Sequence, residues 1–370
     1  MSFKKSFTLL LIGLGFVLQG QALRIPLNTN FRCSAGREVS GVDIEVKWNA
    51  PGVKGREGKI WGTDIAYFGT QVLGYGSDVE SPWRAGADEC TTISFSEDVT
   101  INGSLLKAGS YAFFIELQET GAELIFNKNT SAWGSYFYDK SLDVLRVKTK
   151  IIKDQPMVER LEYVFSNQTP DGIDLTLNWE HWSIPMSIGI DSKKVILGHI
   201  KSEMTGELGF DPPSLVAAAT WCLNNNVNLE QALSWITMAT NPSLGAQKSF
   251  SALGTKAQIM EKLGQSAEAK KVMEEGLAIA SPIELHQYGR RLIAQSKIDE
   301  AFEILNRNYI QQKGQWPTTV GMMRAYNAKG DAKKALEFAE KSLEMAPDDL
   351  NRNALKRDIE QLKQGKLLPR

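Results

Sequence analysis

Apolar and polar residues alternate two by two through Val42-Asp43-Ile44-Glu45-Val46-Lys47-Trp48, placing one set of side chains on a single face, as a half-buried strand requires. Similar short runs recur at Thr91 to Phe95, Val99 to Ile101, Gly109 to Leu117, Glu123 to Phe126, Val144 to Lys150, Arg160 to Ser166, Ile173 to Glu180 and Ile184 to Ile190. Asn102-Gly103, Thr120-Gly121 and Pro170-Asp171-Gly172 lie between these runs, where tight turns need positive φ or a preset proline. Many short strands so spaced predict an antiparallel β-sandwich. Beyond about residue 190 the period changes to that of amphipathic helices. Ala232, Ala269, Ala301 and Ala335 each open the second half of a helix pair, at spacings of 37, 32 and 34 residues. A repeat of that length cannot bury its apolar face alone and must stack on its neighbours as a solenoid.

The predicted boundaries are a leader at 1–22, a β domain at 28–190, a linker at 191–210 that adds one helix, and helical repeats at 211–370. Lys4 and Lys5, the apolar run Phe7 to Leu18 and the small residues of Gly20-Gln21-Ala22 have the layout of a cleaved export signal. The run is shorter than the ~20 residues that span a bilayer. A retained N-terminal anchor is the alternative, and the arginine before Cys33 argues against lipidation there. The expectation is an exported protein, periplasmic or extracellular, with no integral membrane segment once the leader is removed.

With 42% hydrophobic and 23% charged residues the chain is ordinary globular material. Its net charge of −1 supplies no basic field for nucleic acid. Cys33, Cys90 and Cys222 cannot all pair within one chain, so a Cys33–Cys90 disulfide and free thiols both remain open. His181, His199 and His286 fall in different elements, without metal-ligand spacing. No cofactor is implied, and none of the nucleophile-elbow, phosphate-loop or zinc-helix motifs occurs.

Two stretches carry candidate chemistry. Pro51 to Glu89 is long, glycine-rich and dense in Arg56, Trp61, Trp83, Arg84, Asp88 and Glu89, the materials of an aromatic-walled pocket with orienting charges. On a strand Asp88 and Glu89 would point to opposite faces, so they share a site only if the backbone bends there. Trp133, Tyr136 and Tyr138, with Asn127 and Asp139 nearby, have the composition of a sugar-binding platform, although such aromatics more often fill a core.

Several motifs in the β half, in order, resemble the bacterial family called domain of unknown function 2911: Pro51-Gly52-Val53-Lys54-Gly55-Arg56, Ile60-Trp61-Gly62, Trp83-Arg84-Ala85-Gly86-Ala87-Asp88-Glu89-Cys90, Ala108-Gly109-Ser110-Tyr111 and Trp133-Gly134-Ser135-Tyr136. The resemblance implies an exported protein of Bacteroidetes or related bacteria and brings no activity with it. Thr70 to Ser81 is longer than the usual link in that family. The helical half resembles tetratricopeptide repeats, most clearly through Met322, Tyr326, Ala335, Ala339, Ser342 and Pro347, with Asn351 to Lys366 as the capping helix. That resemblance implies a protein partner held on one helical face. Asn224, Asn225, Asn226, Arg290 and Arg324 are candidates to face it, which the pattern alone does not place. The combined reading is a binding or assembly module. The alternatives are a secreted hydrolase using the Trp61 to Glu89 loop, or a carbohydrate- or small-ligand-binding protein using that loop or the Trp133 to Tyr138 cluster.

Overall fold

Residues 30–74 and 78–369 are described by a computed structural model, which separates into two units between Val195 and Ile196. The expected leader at 1–22 lies outside the described residues.

The alternating segments form β1 (Phe31–Val39), β2 (Val42–Ala50), β3 (Gln71–Val72), β4 (Glu80–Ser81), β5 (Thr91–Phe95), β6 (Val99–Ile101) and β7 (Ser104–Leu106). They continue as β8 (Gly109–Leu117), β9 (Gly121–Asn127), β10 (Asp143–Lys150), β11 (Val158–Thr169), β12 (Gly172–Glu180) and β13 (Trp182–Gly189). One sheet runs β1-β2-β5-β8-β9-β10 and the other β11-β12-β13-β6-β7, with antiparallel pairing in both and a small β3-β4 ribbon beside them. The expected sandwich is present: Ile44, Val46, Phe113 and Phe126 from the first sheet share one core with Leu161, Tyr163, Leu175 and Leu177 from the second. Burying each such side chain is worth about 1.5–3 kcal/mol, which is why the alternation fixes the register. Trp48 Nε1 donates across the core to the Leu161 carbonyl at 3.0 Å.

Strand β1 carries no alternating signal because it is an edge strand on which only Val39 is buried. The central strand β8 breaks alternation for the opposite reason, since Tyr111 to Ile115 are buried without interruption. Its second face is covered by segment 128–142, where Ala112, Phe114, Ile125, Cys90 and Tyr138 form a separate small core. Cys33 packs against the main core, whereas Cys90 belongs to this outer one. The sheet therefore separates them, and all three cysteines are free thiols.

The second unit takes up α1 (Ser192–Glu203) partway along, then α2 (Pro212–Asn225), α3 (Leu229–Ala239), α4 (Phe250–Lys262), α5 (Ser266–Ile279) and α6 (Pro282–Ala294). It ends with α7 (Ile298–Gln311), α8 (Thr318–Ala328), α9 (Ala332–Glu344) and α10 (Asp349–Lys363). Helices pair in sequence, α2 with α3 through α8 with α9, and α10 packs on α9 as the expected cap. Ala232, Ala269, Ala301 and Ala335 each occupy the fourth position of the second helix in a pair, and all are buried. A small residue there lets the two helices approach closely. Side-chain caps at Asp211, Ser249, Ser281, Asp331 and Asp348 hold the helix starts. No helix among the described residues is long and apolar enough to cross a membrane.

Candidate functional site

The long segment between β2 and β5 occupies the place beside the second half of β8 that β5 is too short to fill, bridging Trp83 to Ile115 and Phe68 to Leu117. It brings Trp61 and Trp83 together as expected, ring centroids 5.6 Å apart and edge to face. Two further tryptophans join them from the β12–β13 hairpin. Trp61 stacks on Trp182 at 4.6 Å, and Trp83 stacks on the fully buried Trp179 at 6.2 Å. Phe68 lies against Trp182, and Lys153 Nζ sits 4.6 Å above the Trp182 ring. The hairpin turn also anchors the segment. Glu180 accepts from the Gly58 N–H at 2.5 Å, and His181 meets Glu57 at 2.9 Å and the Gln155 carbonyl at 2.8 Å. The Glu57 hydrogen bond, then that of Gln155, raises the pKa of His181. Trp179 and Trp182 have a legible signal in Trp179-Glu180-His181-Trp182, which lies outside the candidate loop.

The charged members of the same stretch point elsewhere. Arg56 donates to the Val53 and Gly52 carbonyls and ties its own turn together. The backbone does bend at Asp88, where φ is 56°, yet the two carboxylates find different partners. Asp88 accepts from Asn30 at 3.1 Å; Glu89 accepts from Asn49 at 2.7 Å and from Arg32 at 2.5 Å. Burial pulls the Glu89 carboxyl upward, but the hydrogen bonds of its own N–H, Asn49 and Arg32 outweigh that and hold it below its ordinary value. A carboxylate so held is ill suited to donate a proton near neutral pH. Arg84 donates to the Asp88 carbonyl at 3.0 Å and lies over the Tyr136 ring at 5.1 Å, linking the loop to segment 128–142.

Within that segment the five platform residues do not share an exposed face. Trp133 is 52% exposed, and Phe137 nearly as much. Tyr138 and Asn127 are buried. The Tyr138 hydroxyl donates to Asp143 at 2.5 Å and accepts from Arg146 at 3.1 Å, and both burial and Asp143 push its pKa up. Asn127 donates to Asp143 and to the Asp139 carbonyl, while Asp139 caps the short turn over Lys140–Leu142. Arg146 gathers Glu116, Glu123 and Asp143 around one guanidinium, a fully paired network on the outer face of the sheet.

The first helices of successive pairs carry two clefts. One, of about 230 Å³, is lined by α4 and α6, including Phe250, Gln258, Gln287 and Tyr288. The other, of about 320 Å³, lies between α6, α8 and the segment after α10 and is lined by Arg290, Arg291, Arg324, Asn327, Leu368 and Pro369. Asn327 grips that segment, donating to the Leu368 carbonyl at 3.0 Å and accepting from its N–H at 2.7 Å. His286 beside them is held neutral down to about 4 by burial, then by Arg324 and Arg290. Arg290 and Arg324 stand 34 residues apart, the spacing of Ala301 and Ala335, so a repeat-by-repeat alignment of the charges is the signal that points here.

The architecture defines a protein of two parts, an antiparallel sandwich and a tetratricopeptide-like solenoid of the kind that serves protein interaction. Residues 32–188 match the model of a family described as a protein of unknown function, DUF2911. Residues 324–349, from within α8 through the whole of α9, match a tetratricopeptide repeat. No curated protein matches the chain.

Proposed function

We propose that the chain is an exported binding or assembly protein whose helical repeats hold a partner protein. The observation that carries this reading is the pair of clefts along α4, α6 and α8, which offer aromatic, amide and cationic side chains in succession on the first helices of the repeats. Export rests on the charge and apolar pattern of Lys4 to Ala22. Crosslinked capture from the native envelope tests both. A specific partner retained by the full chain and lost on deletion of residues 205–370 is the expected result; associations indifferent to that deletion overturn it.

A carbohydrate-binding role for the sandwich is favoured by one feature, the exposed Trp133 and Phe137 pair. Tryptophan quenching by a glycan panel that disappears in Trp133→Ala supports that reading, and no quenching by any glycan counts against it. The paired state of Glu89 speaks against a hydrolytic role for that residue.

A further inference from the structure

We infer that Trp133 and Arg84 form a subsite for an acidic sugar, the indole carrying the pyranose ring and the guanidinium its carboxylate, so that the glycan the sandwich takes is a uronate polymer. The inference rests on the carbohydrate reading of the sandwich and gives it a ligand chemistry.

The turn Trp133-Gly134-Ser135-Tyr136 closes on itself, the Tyr136 N–H donating to the Trp133 carbonyl at 3.4 Å, and Arg84 lies against it. The guanidinium covers the Tyr136 ring at 5.1 Å and rests on the bare Cα of Gly134, where a built Cβ would fall 2.6 Å from Arg84 Cζ. Gly134 has φ 60°, which a side chain would strain as well. Trp133 precedes that glycine directly, so its indole is rooted about 3.8 Å from the Cα on which the guanidinium rests. The indole is 52% exposed and makes no ring contact among the described residues.

Arg84 is held in place from behind. The Ala85 carbonyl accepts from the Thr91 hydroxyl at 3.0 Å and from the Tyr163 hydroxyl at 2.8 Å, and the Ala87 N–H donates to the Asn49 carbonyl at 3.0 Å. Its own hydrogen bond, from Nη1 to the Asp88 carbonyl at 3.0 Å, leaves Nε and Nη2 unengaged among the described residues. The nearby carboxylates are occupied elsewhere, Asp88 by Asn30 and Glu89 by Arg32 and Asn49. The residues outside the described ones, 1–29, 75–77 and 370, contain no aspartate or glutamate. A second unanswered group lies beside it: Ser135 and Arg84 both act on the Tyr67 hydroxyl, and Ser135 Oγ is buried without a hydrogen-bond partner, which few native hydroxyls are. A fixed guanidinium fork with open N–H groups matches a carboxylate by two parallel hydrogen bonds. A flat indole face matches the C–H face of a sugar ring. A neutral sugar would leave the guanidinium unanswered and a simple anion would leave the indole bare, whereas a uronate meets both.

The test is tryptophan fluorescence and calorimetric titration of the full-length protein with hexasaccharides of galacturonate, of mannuronate, and of alternating glucuronate and N-acetylglucosamine, each beside its methyl-esterified form. At least one acid form should quench saturably and bind about tenfold tighter than its ester, a difference of about 1.4 kcal/mol. Arg84→Gln should abolish that preference, and Arg84→Lys should restore only part of it because an ammonium lacks the fork. Gly134→Ala, which alters no ligand contact, should displace Arg84 and weaken the acid form severalfold. Trp133→Ala should weaken both forms, and Arg307→Gln on α7 neither. Circular dichroism of each variant establishes the fold; should Gly134→Ala lose it, the Arg84 variants carry the test. Lack of saturation by every uronate, equal affinity for acid and ester, a preference that survives Arg84→Gln, or acid binding undiminished in Trp133→Ala overturns the inference. Neutral glycans that quench through Trp133 while uronates show no advantage would leave the carbohydrate reading standing without this one. Binding of no glycan at all removes both.

Discussion

Gly289 on α6 tests whether the repeat register is as close-packed as the geometry requires. A Cβ built at that position would come within 2.5 Å of Leu305 Cγ and 2.6 Å of its Cδ2, and Leu305 on α7 is itself buried. Intrinsic helix propensity alone favours Gly289→Ala by about 1 kcal/mol. Overpacking a well-filled core costs about 1–3 kcal/mol, and here the atoms in the way include the branch point of the leucine and not only its tips. The net expectation is a loss of up to about 2 kcal/mol. Gly254 on α4 is the internal control, because its Cβ would meet nothing within 4 Å. Gly254→Ala should therefore stabilise by up to about 1 kcal/mol. Urea unfolding followed by far-ultraviolet circular dichroism measures both. Leu305→Ala, which alone costs about 2–5 kcal/mol, should cost less by about 1 kcal/mol or more when Gly289→Ala is already present. If both glycine substitutions stabilise equally, α6 and α7 do not approach as described and the argument for small residues at the crossings fails.

His181 should titrate above its ordinary value in a proton NMR experiment, and Glu57→Gln should move the midpoint back down; a midpoint at or below 6.5 in the native protein refutes the contact. Since the folded pKa is the raised one, the contribution of His181 is present below 6.5 and disappears as pH climbs through the folded value. His286 works in the opposite direction: its folded pKa is depressed to about 4, so the unfolded chain takes up the proton first and stability falls as pH drops from 6.5 toward 4. The loss has a ceiling of roughly 3 kcal/mol, and in His286→Gln that part of the decline should be missing from denaturation curves compared at pH 7 and pH 4.5. Trp179→Ala, at a fully buried ring, should cost about 3–5 kcal/mol, whereas Trp133→Ala, at a half-exposed one, should stay within about 1 kcal/mol. Equal losses in urea unfolding would contradict the packing of the tryptophan cluster.

What could be read from the pattern was whatever burial on one face imprints on sequence. Strand β2 and strand β12 alternate because one side of each faces the core, and the four alanines recur because every helix pair needs the same close crossing. Strand β1 escaped because an edge strand with little buried surface has no reason to alternate. The candidate pocket divided for a related reason. Sequence neighbours in an irregular segment face different neighbours in space, so Trp83 entered the core with Trp179 while Arg84 turned toward Tyr136 and Glu89 toward Arg32. A platform read from a run of aromatics lost Tyr138 to the small core on the back of β8, which no local pattern announces.

Whether a polar side chain is already engaged separates the two halves more sharply than composition does. In the sandwich, Arg56, Asp88, Glu89, Asn127, Tyr138 and Arg146 are each held by hydrogen bonds that explain their presence by the fold alone. Such residues, replaced singly, should lower stability, and any loss of binding would follow from that. On α6 and α8 the position differs: Arg290 and Arg324 repel one another and form no ion pair among the described residues. Neutralising either one should leave stability unchanged or raise it slightly, while weakening capture of any partner that rests on the cleft. Opposite signs for stability and binding in one substitution are the mark of a residue kept for function at a cost to the fold. Arg324→Gln measured both ways, by urea unfolding and by partner capture, decides the matter. A variant that loses stability and binding together would place Arg324 with the structural arginines of the sandwich.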